Sequence, residues 1–147
     1  MDTDKHPIEQ YFSFKHPLTQ FLPMEYVGLE DGLLTMNIDV PGHFVAEPAT
    51  GAVHSGFATL VLDTVLGGAV LGHIKLSQPI ATVGLTTQHM RRAVKGEKLV
   101  CRARLEGIHR NMAHMSGQLA AAGGEMLSTA TGTFMIGTRA KPLGARL

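Results

Sequence analysis

Between Glu47 and Lys75 the chain carries one residue with a formal charge, Asp63, set in HSGFATLVLDTVLGGAVLG. The apolar stretch from Phe57 to Ile74 approaches membrane-spanning length, but Asp63, three glycines and two threonines interrupt it. That pattern reads as the enclosed helix of a folded domain, because apolar residues cover nearly its whole circumference. The helix is expected to start near Ser55, a good N-cap type, and to stop near Leu71 with Gly72 beyond it. Such a helix has to be enclosed by the other elements of the domain rather than lie on its surface, so this segment constrains the rest of the fold.

The flanking segments read mostly as strands. Met24 to Glu30 and Leu33 to Val40 read as strands joined by Asp31-Gly32, a strong hairpin signal. Pro41-Gly42 stops the second, and a loop over residues 42–53 leads to the helix. Ile80 to Met90 is rich in Thr and Val. Lys98 to Gly107 alternates Val100, Arg102, Arg104 and Glu106 with Cys101, Ala103 and Leu105, as a half-exposed strand does. Met112 to Ala122 and Glu125 to Gly137 follow, turning at Gly123-Gly124. Residues 7–22 read as one or two short helices broken at Pro17 and ended by Pro23. The class is α+β, with order β-β-α-β-β-β-β. One helix cannot cover both faces of six strands, so a second copy of the chain is expected to complete the assembly.

Composition narrows the function. The 147 residues fit one domain with a real core. The expected division is an N-terminal helical segment over 1–23, a core over 24–137 and a tail over 138–147. Net charge is +1, there is no Trp and aromatics make up 5%. Neither a nucleic-acid footprint nor a base-stacking surface is expected. The N-terminal MDTDKHPIEQ has no apolar core of a secretory signal, and the single cysteine, Cys101, cannot form an internal disulfide. A cytoplasmic protein that does not engage a membrane is the expectation. His109 and His114 lie five apart without a Cys or carboxylate cluster, so no metal site is expected.

An isolated carboxylate in an apolar helix is costly to bury unless it is paired or used. Gly56, Thr59, Asp63 and Gly67 share one helix stripe, and all but Asp63 are small, so a ligand or second chain can approach closely there. The helix start offers backbone N–H groups at Ser55 and Gly56 that can polarise a carbonyl and hold an oxyanion. A carboxylate acting from the other side as base or nucleophile suits acyl transfer or hydrolysis. Other readings stay open: a neighbouring hydroxyl can satisfy Asp63, and His54 can be a packing or hydrogen-bonding residue before the helix. Ser55, His54 and Asp63 cannot form a triad, because adjacent residues at a helix start point apart and Asp63 is two turns on.

Gly51, His54-Ser55-Gly56, and Asp63 nine residues after the histidine resemble the signature of hotdog-fold acyl-CoA thioesterases of the phenylacetate-degradation type. Thr82-Val83, His89-Met90-Arg91-Arg92-Ala93 and Gly96-Glu97 extend the resemblance, which spans residues 24–137. It implies a long central helix wrapped by a curved antiparallel sheet of five to six strands. It also implies a homodimer, often a dimer of dimers, with active sites at the dimer interface. Asp63 would activate water or attack the thioester, Ser55 would offer the polarising N–H, and Thr82 of the other subunit would help hold the water. His54 would support the loop or hydrogen-bond near the thioester. CoA enters as part of the substrate, with no separate cofactor, and Arg91, Arg92, Lys95 and Arg110 are candidates to grip its phosphates, with Thr59 beside the substrate. Two positions depart from the family pattern: Pro48 replaces an Asn, and Ser55 a Gly. A non-catalytic acyl-CoA-binding hotdog is the alternative, and a hotdog dehydratase fits the motif less well.

Overall fold

The computed structural model describes residues 5–13 and 17–140. Residues 14–16, within the expected N-terminal helical segment, and 141–147, within the expected tail, lie outside the described residues. The chain begins with two short helices, α1 (Pro7–Ser13) and α2 (Pro17–Phe21), each opened by a proline. Proline suits a helix's first turn, where its missing N–H has no intrahelical partner.

A hairpin follows, β1 (Met24–Glu30) and β2 (Leu33–Asp39). Asp31 and Gly32 both take positive φ, 49° and 75°, the pairing a tight two-residue hairpin turn requires. After a 3-10 turn over Gly42–Phe44 come two very short strands, β3 (Val45–Glu47) and β4 (Ala52–Val53), which pair with each other, Ala52 also bridging to Val94. The long helix α3 (Gly56–His73) is next, then β5 (Ile80–His89), β6 (Lys98–His109), β7 (Met112–Ala121) and β8 (Met126–Ile136).

The main sheet has six strands in the order β1-β2-β6-β7-β8-β5, with every neighbouring pair antiparallel. It wraps α3, the hotdog arrangement that the sequence motifs implied. Twelve residues of α3 are buried, among them Val61, Leu62, Val65, Leu66 and Val70. They meet alternate residues of the sheet, such as Met36, Cys101, Leu119 and Phe134. Ile8, Phe12 and Leu22 join the same core.

Both helix ends differ from the sequence expectation. Ser55 precedes the helix but has helical dihedrals and makes no side-chain capping bond. Gly72 does not end α3, which continues through His73. A Cβ on Gly72 would meet Leu29 Cδ2 at 2.7 Å, so packing fixes this glycine and not a turn. Lys75 and Leu76, with φ of 51° and 55°, close the end instead, and the Leu76 N–H bonds the Leu71 carbonyl at 2.9 Å.

β5 is the outer strand on its side of the sheet and is solvent-exposed over most of its length, residues 81–84 without interruption. An edge of that length with Val83 54% exposed is a ready surface for strand pairing.

Candidate active site

The helix start is built by a braced loop. The Val53 N–H donates to the Ala93 carbonyl and the Lys95 N–H to that of Gly51, both at 2.9 Å. The His54 N–H donates to the Phe44 carbonyl at 3.0 Å, and Phe44 packs on buried Phe57 with ring centroids 5.2 Å apart. His54 then turns its ring back over the helix. Its Nδ1 accepts the Gly56 N–H at 2.9 Å, so the imidazole performs the capping expected of Ser55. A Cβ at position 56 would sit 2.9 Å from that nitrogen, which explains the glycine there.

This corrects one expectation. The Gly56 N–H is engaged by His54 and is not an open oxyanion donor. The Ser55 N–H makes no bond among the described residues, so it alone remains of the expected pair.

Asp63 lies two turns along α3 and is half-buried. Its Oδ1 accepts the Thr82 hydroxyl at 2.9 Å, and it has no cationic partner among the described residues. The expectation that Thr82 would reach Asp63 from another subunit is corrected, since the two belong to one chain. β5 lies along the α3 stripe and brings them together. A backbone irregularity between Thr82 and Gly84 shifts the β5–β8 register there. Thr59, one turn earlier on the stripe, contacts Thr87 Oγ1 at 3.4 Å, so β5 touches the stripe at two polar points. Gly67 closes the stripe, where a Cβ would meet Ile80 and Phe134 at 3.4 Å.

A cleft of about 190 Å³ opens beside the carboxylate, lined by Asp63 and Thr82 together with Tyr11, Leu18, Ile80 and Phe134. Sequence reasoning missed Tyr11 and Leu18. Helices of seven and five residues carry no periodic signal strong enough to show which face they turn inward. A wider recess of about 540 Å³ lies on the sheet near Arg102 and Arg104, and no residue of α3 lines it.

The cations expected around a polyanion divide into two groups. Arg91 grips Glu97 with both terminal nitrogens, at 3.0 and 2.5 Å, and bonds Glu125 at 2.9 Å. Its guanidinium holds both carboxyls below the usual range. Arg92 pairs with Glu47 at 2.8 Å. These two pin the 91–97 turn to its neighbours and are not open phosphate grips. Lys95 and Arg110 have no ion pair among the described residues. No cluster that could hold a metal ion occurs among the described residues.

Residues 50–128 match the Thioesterase superfamily. The chain belongs to that superfamily. Its fold is similar to a phenylacetic acid degradation-related protein of Ralstonia eutropha, with TM-score 0.76 and 25% identity over 87% of this chain and 98% of that one. The PaaI protein of the Escherichia coli phenylacetic acid degradation operon matches with TM-score 0.76, 12% identity, and 89% and 94% coverage. A Streptococcus mutans protein bound to acetyl-CoA matches with TM-score 0.68, 16% identity, and 80% and 91% coverage. No curated protein matches the sequence. The hotdog fold is thus shared with these proteins, and thioester hydrolysis is the chemistry that membership of the superfamily supports.

Proposed function

We propose that the protein hydrolyses acyl-CoA thioesters to a free acid and CoA, with Asp63 as general base or nucleophile. The observation that carries this is the Thr82–Asp63 bond at 2.9 Å beside a cleft with apolar walls. It fixes one carboxylate oxygen and leaves Oδ2 without a partner among the described residues. As base, Asp63 takes a proton from water while the water oxygen attacks the thioester carbonyl. The tetrahedral oxyanion then collapses, the carbon–sulfur bond breaks, and the CoA thiolate takes up a proton. As nucleophile, Asp63 attacks the carbonyl directly, the carbon–sulfur bond breaks to release the CoA thiolate, which takes up a proton, and water hydrolyses the resulting mixed anhydride to the free acid and the Asp63 carboxylate.

The oxyanion donor in this reading is the open Ser55 N–H. Ser55 and Asp63 of one chain are eight residues apart, about 12 Å along a helix. They cannot flank one carbonyl. A second copy paired along β5 supplies the missing half, so the working unit is a homodimer with Asp63 from one protomer and Ser55 from the other. Lys95 and Arg110 are the open cations for the CoA phosphates. The compartment this reading favours is the cytoplasm, where acyl-CoA and a reduced Cys101 are both expected.

A panel of acyl-CoAs with free-thiol detection, run on wild type, Asp63→Ala and Asp63→Asn, tests the reading. Wild type is expected to release thiol, and both variants to fall by about 100-fold or more. Equal rates for all three would sink the role of Asp63. One observation favours a second reading, an acyl-CoA-binding protein without turnover. Exposed Pro48 stands where the family pattern has Asn, and its ring offers no side-chain donor. Tight acyl-CoA binding with no thiol release would select it.

A further inference from the structure

Ser128 is fully buried, the one buried polar side chain among the described residues. Its Oγ lies 2.9 Å from His89 Nδ1. His89 Nε2 lies 3.3 Å from Thr87 Oγ1, which in turn lies 3.4 Å from Thr59 Oγ1. Four polar side chains from β8, β5 and α3 therefore form one line, ending on the stripe that carries Asp63. Nothing in the mechanism above uses His89 or Ser128.

We infer that Ser128–His89–Thr87–Thr59 is a polarised relay that positions the Thr59 hydroxyl to bind the amide next to the thioester in the substrate's thiol arm. The inference rests on the acyl-CoA reading and adds a recognition subsite to it.

The direction of the relay follows from counting donors. A neutral imidazole has one N–H and one acceptor nitrogen, so its two partners cannot both donate to it. Ser128 is fully buried and its hydroxyl has no partner but Nδ1 among the described residues, so it donates there; Nε2–H then donates to Thr87, and the Thr87 hydroxyl donates to Thr59. The Thr59 proton is then left for a ligand. The anchored end is the short contact at the buried serine, and the contacts lengthen toward Thr59. Catalytic hydrogen bonds are often long before substrate arrives and tighten in the complex.

The position of Thr59 names the group it meets. Thr59 and Asp63 are four residues apart on one helix face, about 6 Å along the axis. The apolar cleft lies on the Gly67 and Leu71 side of Asp63 and suits the acyl group, so with Asp63 at the thioester carbon Thr59, one turn the other way, lies beyond the sulfur. In CoA the sulfur is followed by two methylenes and a secondary amide, a polar group within reach of a hydroxyl donor. A plain alkyl thioester has only methylenes there and leaves the relay unanswered.

The test compares two thioesters of the same acid, one on N-acetylcysteamine, which keeps the amide, and one on an alkyl thiol of similar length. The readout is the ratio of their kcat/KM values in wild type, Thr59→Val, His89→Phe and Ser128→Ala. Wild type is expected to prefer the amide-bearing ester, and each variant to lower the preference about fivefold, mainly through KM, the size of one lost hydrogen bond. The double variant His89→Phe/Ser128→Ala should be no worse than His89→Phe alone, since the residues act in series. Melting curves separate a lost preference from a lost fold, and Thr59→Val, which keeps the shape of the side chain, holds the test open if a β-strand variant unfolds. An unchanged ratio in a folded, active Thr59→Val enzyme overturns the relay and leaves the role of Asp63 standing. Failure of wild type to cleave these esters and every acyl-CoA in the panel overturns the thioesterase reading and the relay together.

Discussion

Asp63 is accommodated in an apolar helix with one hydroxyl as its partner. Thr82 takes a single lone-pair direction of the carboxylate and adds no charge. Thr82→Val keeps the shape of the side chain and removes that bond. It is expected to lower kcat about tenfold with little change in melting temperature, checked by steady-state kinetics and calorimetry. Arg91 gives a prediction of the opposite kind, about stability. Its guanidinium holds Glu97 below the ordinary carboxylate range in the folded protein. The stabilisation is therefore complete above the carboxylate pKa of the unfolded chain and is lost as pH falls through the lowered folded value. Glu97→Gln should cost about 1–2 kcal/mol at neutral pH, roughly 3 °C per kcal/mol in melting temperature, and the two melting curves should converge in acid. Asp63 stands out in the sequence as a candidate because lone charges in apolar helices are rare. The partner that holds it in one chain does not. The contact joins residues 19 apart through a strand irregularity that no local pattern encodes.

At the level of elements, α3 and its strands followed from patterning, and their observed ends lie within a few residues of those expected. The helix termini were harder, since Ser55 and Gly72 have the residue types of caps while tertiary contacts decide their roles. Gly68 shows the same override. A Cβ there would lie 2.7 Å from the Phe12 ring and 3.3 Å from Leu34, so the bare backbone lets α1 lie against α3. Gly68→Ala gains helix propensity but must push Phe12 away. A net loss of about 1–3 kcal/mol is expected in thermal or urea unfolding. Because α1 carries Tyr11 into the cleft beside Asp63, KM for acyl-CoA should rise as well. Reading residues 1–23 as an N-terminal helical segment of the one domain gave no hint of this packing. Proline positions marked the ends of these short helices but carried no information about their neighbours.

For the whole molecule, the open edge of β5 is the feature that one copy leaves unanswered. Val83→Glu places a charge on the proposed seam, twice over in a two-fold dimer. The variant is expected to sediment as a monomer in analytical ultracentrifugation and to lose thiol release while staying folded. A dimeric, fully active variant would place the seam elsewhere. The strand order also sets a timetable for folding. β6, β7 and β8 are consecutive hairpin partners, whereas β2 must find β6 and β5 must find β8 across long stretches of chain. Local pairings close cheaply and distant ones late, so the meander is expected to form first, with the flanking strands zipping on afterwards. Because Thr82 is carried on β5, whose partner β8 lies far along the chain, the hydroxyl beside Asp63 is locked in place only once that outer pairing has closed.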